Sequence, residues 1–108
     1  MNSPQFKKRR PANTAVGDYP PSLVRSYFEL ELSMQPGSCK AGLLRKLNDI
    51  CETKHLTGQM YNWLNLKHEP ERSVRIYMLH CVLAHVLASE GFDVSDTRKI
   101  DRIASKII

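Results

Sequence analysis

Pro70 and Gly91 bracket twenty residues, Glu71 to Glu90, whose apolar side chains occupy two sides of a helix. Val74, Tyr77, Met78, Cys81, His85 and Ala88 recur at helical spacing on one side, and Ile76, Leu79, Leu83, Val86 and Leu87 on another. A helix apolar on two sides must be covered on both. Any fold open to this chain is therefore built around that helix and needs at least two partner surfaces. Pro70 stands where a first-turn proline belongs, and Gly91 supplies the stop. The apolar run Ile76 to Ala88 is thirteen residues broken by His80 and His85. A spanning helix needs about 20 apolar residues, so no membrane role is expected.

The partner surfaces are also helical. Ser22 caps a helix over 23 to 34, with Leu23, Tyr27, Leu30 and Met34 in register and Pro36-Gly37 as its terminator. Ser38 is placed to cap a helix from Cys39 to Glu52, where Leu43, Leu44, Leu47, Ile50 and Cys51 form a stripe opposite Arg45, Lys46, Asn48 and Asp49. After about four residues of turn, Thr57 reads as the N-cap of a short helix, Gly58 to Leu64, with Leu56 as a staple residue. Ser95 or Asp96 opens a last helix with Ile100, Ile103, Ala104 and Ile107 on one face and Arg98, Lys99, Asp101, Arg102 and Lys106 on the other. Five helices without strand-like alternation or internal repeats predict an all-α fold in one domain, 22–108. Residues 1–21, with four of the six prolines and no helical period, read as a disordered or extended arm.

The charge is unevenly spread. Of the formal net charge of +5, the first 21 residues carry Lys7, Lys8, Arg9 and Arg10 against Asp18 alone. A second basic stretch, 53–68, contains no acid and holds Lys54, His55, Lys67 and His68. Such segments suit a polyanion. The three cysteines, Cys39, Cys51 and Cys81, are odd in number and lie in periodic apolar segments, so reduced thiols and a cytoplasmic location are expected. The polar, basic N-terminus has no following apolar region of the secretory kind.

Two short helices joined by a tight turn suit a helix-turn-helix, which places its second helix in the major groove of DNA. Gln59 and Asn62 carry amides that donate and accept together, the pattern complementary to adenine N6 and N7. Thr57 can reach a base or phosphate, and Gly58 leaves room for close approach of the helix N-terminus to a phosphate. Lys54, His55, Lys67 and His68 bracket this helix as phosphate contacts, which fix position rather than sequence.

The stretch 41–90 resembles the Cro and lambda-repressor-like helix-turn-helix family, which includes many phage and plasmid repressors and the autoregulators of anti-CRISPR operons. Trp63 followed by Pro70 has the family's spacing, and Thr57, Gln59 and Asn62 match its cap and reading positions. Aligning on Trp63 puts Lys54 at the usual turn glycine and the cap one residue late; aligning on Thr57 makes Tyr61 and Leu64 the buried pair. Leu66 stands at the usual loop glycine. The resemblance implies a transcriptional repressor or autoregulator, nucleoid-associated when bound, acting on a partly palindromic operator.

A single reading helix covers few base pairs, so a homodimer on double-stranded DNA is expected, with half-sites about 34–36 Å apart. Leu79, Leu83, Val86, Leu87, Ile100, Ile103 and Ile107 are the candidate interface, unless the last helix folds back over the second side of helix 71–90. The arm residues Lys7 to Arg10 can reach an adjacent groove. Cys51 with His55 and Cys81 with His85 have the four-residue spacing of zinc ligands, but an apolar stripe favours core roles and no metal is expected. At least one of Tyr61 and Trp63 must pack inward, Trp63 by preference. No paired carboxylates, nucleophile-base pair or glycine-rich phosphate loop is present, so neither catalysis, cofactor nor small-molecule substrate is expected. The other reading of function is a helical adaptor binding a protein through Ile76 to Leu87 and the last helix.

Overall fold

The computed structural model describes residues 16–108; the tetrad Lys7 to Arg10 and the rest of the expected arm before Val16 lie outside them. Among the described residues a 3-10 turn, Val16–Asp18, precedes five helices: α1 (Leu23–Met34), α2 (Lys40–Cys51), α3 (Thr57–Leu64), α4 (Arg72–Ser89) and α5 (Thr97–Ile107). No strand occurs among the described residues. The fold is all-α.

The two-sided helix, α4, finds its two partners within the chain: α1 packs along one side and α5 along the other. Val74 and Met78 are fully buried, and Tyr77, Cys81 and Val82 pack against the core that α1, α2 and α3 complete with Tyr27, Phe28, Leu47, Met60 and Leu64. Length explains where this coverage stops. At 1.5 Å per residue the 18 residues of α4 run about 27 Å, against about 18 Å for the 12 residues of α1 and about 16 Å for the 11 of α5. The last turns of α4 outrun their partners, and His85, Val86 and Ala88, expected on apolar sides, are exposed.

Helix α5 is seated by Ile100 and Ala104, both buried, and by two polar ties. Arg72 donates to the Ser105 carbonyl at 2.9 Å, and His80 Nδ1 lies 2.6 Å from Asp101 Oδ1. This corrects one interface expectation: Ile100 is 4% exposed and belongs to the chain's own core, whereas Ile103 and Ile107 stay in solvent. Leu79, Leu83 and Leu87 are half-buried and Val86 is exposed.

The folded unit begins before residue 22. Val16 and Tyr19 are buried in the core, and Tyr19 lies 6.5 Å from the Tyr61 ring, centroid to centroid. The end of the expected arm is therefore part of the domain. Between α1 and α2, the buried Glu31 carboxylate takes Lys46 Nζ at 3.1 Å. Burial raises the Tyr27 and Tyr77 hydroxyls far above the ordinary phenol range and raises the Cys51 and Cys81 thiols. These groups are neutral at pH 7 and pack as core atoms.

Boundaries follow the caps. Ser22 accepts from the Arg25 N–H at 3.0 Å, as read from the sequence, and of the two candidates Ser95 and Asp96 it is Asp96 that caps α5, accepting from the Lys99 N–H at 3.2 Å. Cys39, not Ser38, caps α2, its Sγ accepting from the Gly42 N–H at 3.4 Å. Pro70 is buried two residues ahead of α4 rather than in its first turn, with Glu71 as N-cap.

Candidate nucleic-acid interface

Helices α2 and α3 are joined by five residues, Glu52 to Leu56, one more than expected. Asn48, read as a polar outer residue of α2, organises this turn. Its Oδ1 accepts from the His55 N–H at 3.0 Å and the Thr53 hydroxyl at 2.8 Å, and its Nδ2 donates to the His55 carbonyl at 3.0 Å. Its own carbonyl accepts from the Thr53 N–H at 2.9 Å, while Glu52 turns the chain in the left-handed region at φ 57°. A side chain with a Cβ loses roughly 1–2 kcal/mol in that region, and glycine gives back part of the difference in unfolded-state entropy. Glu52→Gly is expected to stabilise the fold by about 0.5–1 kcal/mol in a denaturant titration; a loss of stability would contradict the strain assigned to Glu52.

His55, expected as a phosphate contact, lines the groove between α2 and α3 with its side chain 17% exposed and its ring held on two sides. Its ring meets Trp63 edge-on at 4.8 Å, and Nε2 lies 2.8 Å from Glu71 Oε1. It fastens the turn to α3 and to the start of α4. Trp63, 4% exposed, is a core residue, and Tyr61 is half-buried against Tyr19 and the Lys40 ammonium, 5.3 Å above its ring.

The N-cap of α3 is Leu56, so Thr57 is the first helical residue and not the cap. The cause is Gln59, whose Oε1 accepts from the Leu56 N–H at 2.8 Å. This is the returning half of a capping box, with an apolar residue where the hydroxyl usually stands. A carbonyl oxygen has a second lone pair, so Gln59 keeps one acceptor site beside its amide donors.

Thr57, Gly58 and Gln59 are exposed, Asn62 is half-buried, and all four line one open concavity of about 850 Å3. Its opposite wall is α2, through Ala41, Leu44, Arg45 and Asn48. Among the described residues no acid lines it, and α5 takes no part in it. A Cβ built on Gly58 meets nothing within 4 Å, so the fold does not require glycine there. Ala would favour the helix by about 1 kcal/mol, and its absence bares the backbone of the first turn of α3 to the concavity.

Arg45 and the 71%-exposed Leu56 belong to this surface and were not among the expected site residues. For Arg45 a signal existed: Ala41, Arg45 and Asn48 are spaced four and three apart, one stripe of α2 beside the start of α3. Lys54, Lys67 and His68 are exposed on the two loops flanking α3, outside the concavity. In the second loop the Asn62 carbonyl accepts from the Lys67 N–H at 2.9 Å, and Leu66 takes φ 60°, the conformation a glycine would supply.

Among the described residues no three of His, Cys, Asp or Glu gather as metal ligands would. No described helix is long and apolar enough to cross a membrane. No protein-family model, characterised protein or solved structure matches the chain.

Proposed function

We propose that this chain binds double-stranded DNA sequence-specifically as a homodimer, with α3 in the major groove, and represses transcription from a partly palindromic operator, its own promoter included. One observation carries the reading: Thr57, Gly58, Gln59 and Asn62 share an acid-free concave face with Arg45, clear of α5. Gln59 and Asn62 read adenine-bearing edges, while Arg45, Lys54, Lys67, His68 and the arm residues Lys7 to Arg10 meet phosphates. Exposed Val86, Phe92, Ile103 and Ile107, with half-buried Leu79, Leu83 and Leu87, supply the apolar surface for a second copy.

The same surface favours the second reading, an adaptor that docks another protein. Selection of bound duplexes from a random-sequence library separates the two. The DNA reading expects enrichment of a two-fold symmetric site with half-sites about 10–10.5 base pairs apart, centre to centre. Failure to enrich any sequence would leave the adaptor as the better account.

A further inference from the structure

The outer face of α5 has no role in the fold. Arg98, Lys99, Arg102 and Lys106 are all exposed, and none forms an ion pair or side-chain hydrogen bond among the described residues. Arg98, Arg102 and Lys106 are each four residues apart, so successive cations advance about 6 Å and turn about 40°, with Lys99 about 100° from Arg98. The result is one cationic stripe opposite the buried Ile100 and Ala104.

Of the acids nearby, Asp101 is held by His80, Asp96 caps the Lys99 N–H, and Asp93 accepts from the Ser95 N–H at 2.9 Å and is also attracted by Lys99, which leaves Arg98, Arg102 and Lys106 as the stripe's uncompensated cations. The C-terminal end of α5 lies beside the loop that carries Lys67 and His68. Trp63, Leu66, His68, Glu69 and Ile108 are among the residues lining one cavity of about 300 Å3, which sets the end of α5 beside the α3–α4 loop and its exposed acid Glu69. Exposed Lys67 and His68 lie on that loop.

We propose that the outer face of α5 is a second phosphate-contacting surface that continues the track of Lys67 and His68 along the backbone of duplex DNA. The inference extends the DNA-binding reading and rests on it for the identity of the partner. Regularly spaced cations without an apolar centre fit a line of phosphates, whereas protein interfaces are anchored by buried aromatic or Arg side chains in pockets. An anionic membrane is the poorer match, because a surface-bound helix buries its whole apolar face in lipid, whereas α5 commits Ile100 and Ala104 to α4 and leaves only Ile103 and Ile107 exposed, to one side of the stripe.

The test is the salt dependence of binding to a labelled mixed-sequence duplex between about 50 and 200 mM salt. The triple variant Arg98→Ala/Arg102→Ala/Lys106→Ala is expected to keep the helical circular dichroism and thermal midpoint of the parent. Its log–log slope should be shallower by about 2.7, roughly 0.9 for each lost phosphate contact. Arg98→Lys/Arg102→Lys, which preserves charge, should keep the parental slope. An unchanged slope in the triple variant overturns the inference, as does a loss confined to binding of vesicles containing anionic lipid.

Gln59→Ala/Asn62→Ala is measured in parallel and separates the two claims. If the parent shows no sequence preference while the α5 variant loses slope, the reading of α3 falls and the α5 surface stands. If sequence preference is present and the α5 variant keeps its slope, the reverse holds. If the parent binds no duplex, both fall.

Discussion

Asn48→Ala is expected to cost about 3 kcal/mol of folding stability, because three hydrogen bonds to the α2–α3 turn disappear with one side chain. Each is worth roughly 1 kcal/mol net, and the His55 N–H and carbonyl are left to find other partners in a partly buried setting. For a domain of this size the thermal midpoint should fall by roughly 15 °C, read by circular dichroism. Asn48→Asp keeps the acceptor for the His55 N–H and Thr53 hydroxyl but loses the donor to the His55 carbonyl, so its cost should be smaller, about 1–2 kcal/mol. A loss below about 1 kcal/mol for Asn48→Ala would mean that the His55 contacts with Trp63 and Glu71 hold the turn without it.

Gln59→Glu should separate the two tasks assigned to Gln59. A glutamate carboxylate can still accept from the Leu56 N–H, and a negative charge in the first turn of α3 adds about 0.3–1 kcal/mol through the helix dipole. The thermal midpoint is therefore expected to stay level or rise. Binding should respond in the opposite direction: the amide donor needed for an adenine edge is gone, and a charge faces the duplex in a concavity that now has no acid. Affinity for the selected site should fall at least 100-fold, about 2.7 kcal/mol. Parental affinity in this variant would remove Gln59 from the reading surface.

Local signals in the chain located the helices well, and long-range partners account for most of what they missed. Ser22 and Pro36-Gly37 delimit α1 at Leu23–Met34 as read, because cap and terminator lie within a few residues of the helix they bound. Helix α3 starts one residue before the position that the familiar capping residue Thr57 marks, because a side chain inside the helix, Gln59, supplies the cap. Glu52 carries no composition cue for a left-handed turn, so the end of α2 and the length of the turn were not legible.

The site shows the same division. The outward face of α3 follows from helical spacing, but the engagement of His55 by Glu71 depends on a residue sixteen positions away. Two apolar sides on α4 demanded two partners without saying which; that α5 returns to cover one side and buries Ile100 is a tertiary fact. The prolines and basic block before residue 22 concealed Val16 and Tyr19, whose burial needs α1 and the rest of the core to be in place.

The ratio of affinities for the selected duplex and a mixed-sequence duplex, measured at one salt concentration for the parent and for Gln59→Ala/Asn62→Ala, tests the outward amides of α3 as readers of sequence. A ratio that collapses toward one, with helical circular dichroism preserved, is the result expected. A ratio equal to that of the parent would contradict the assignment of α3 as the reading helix.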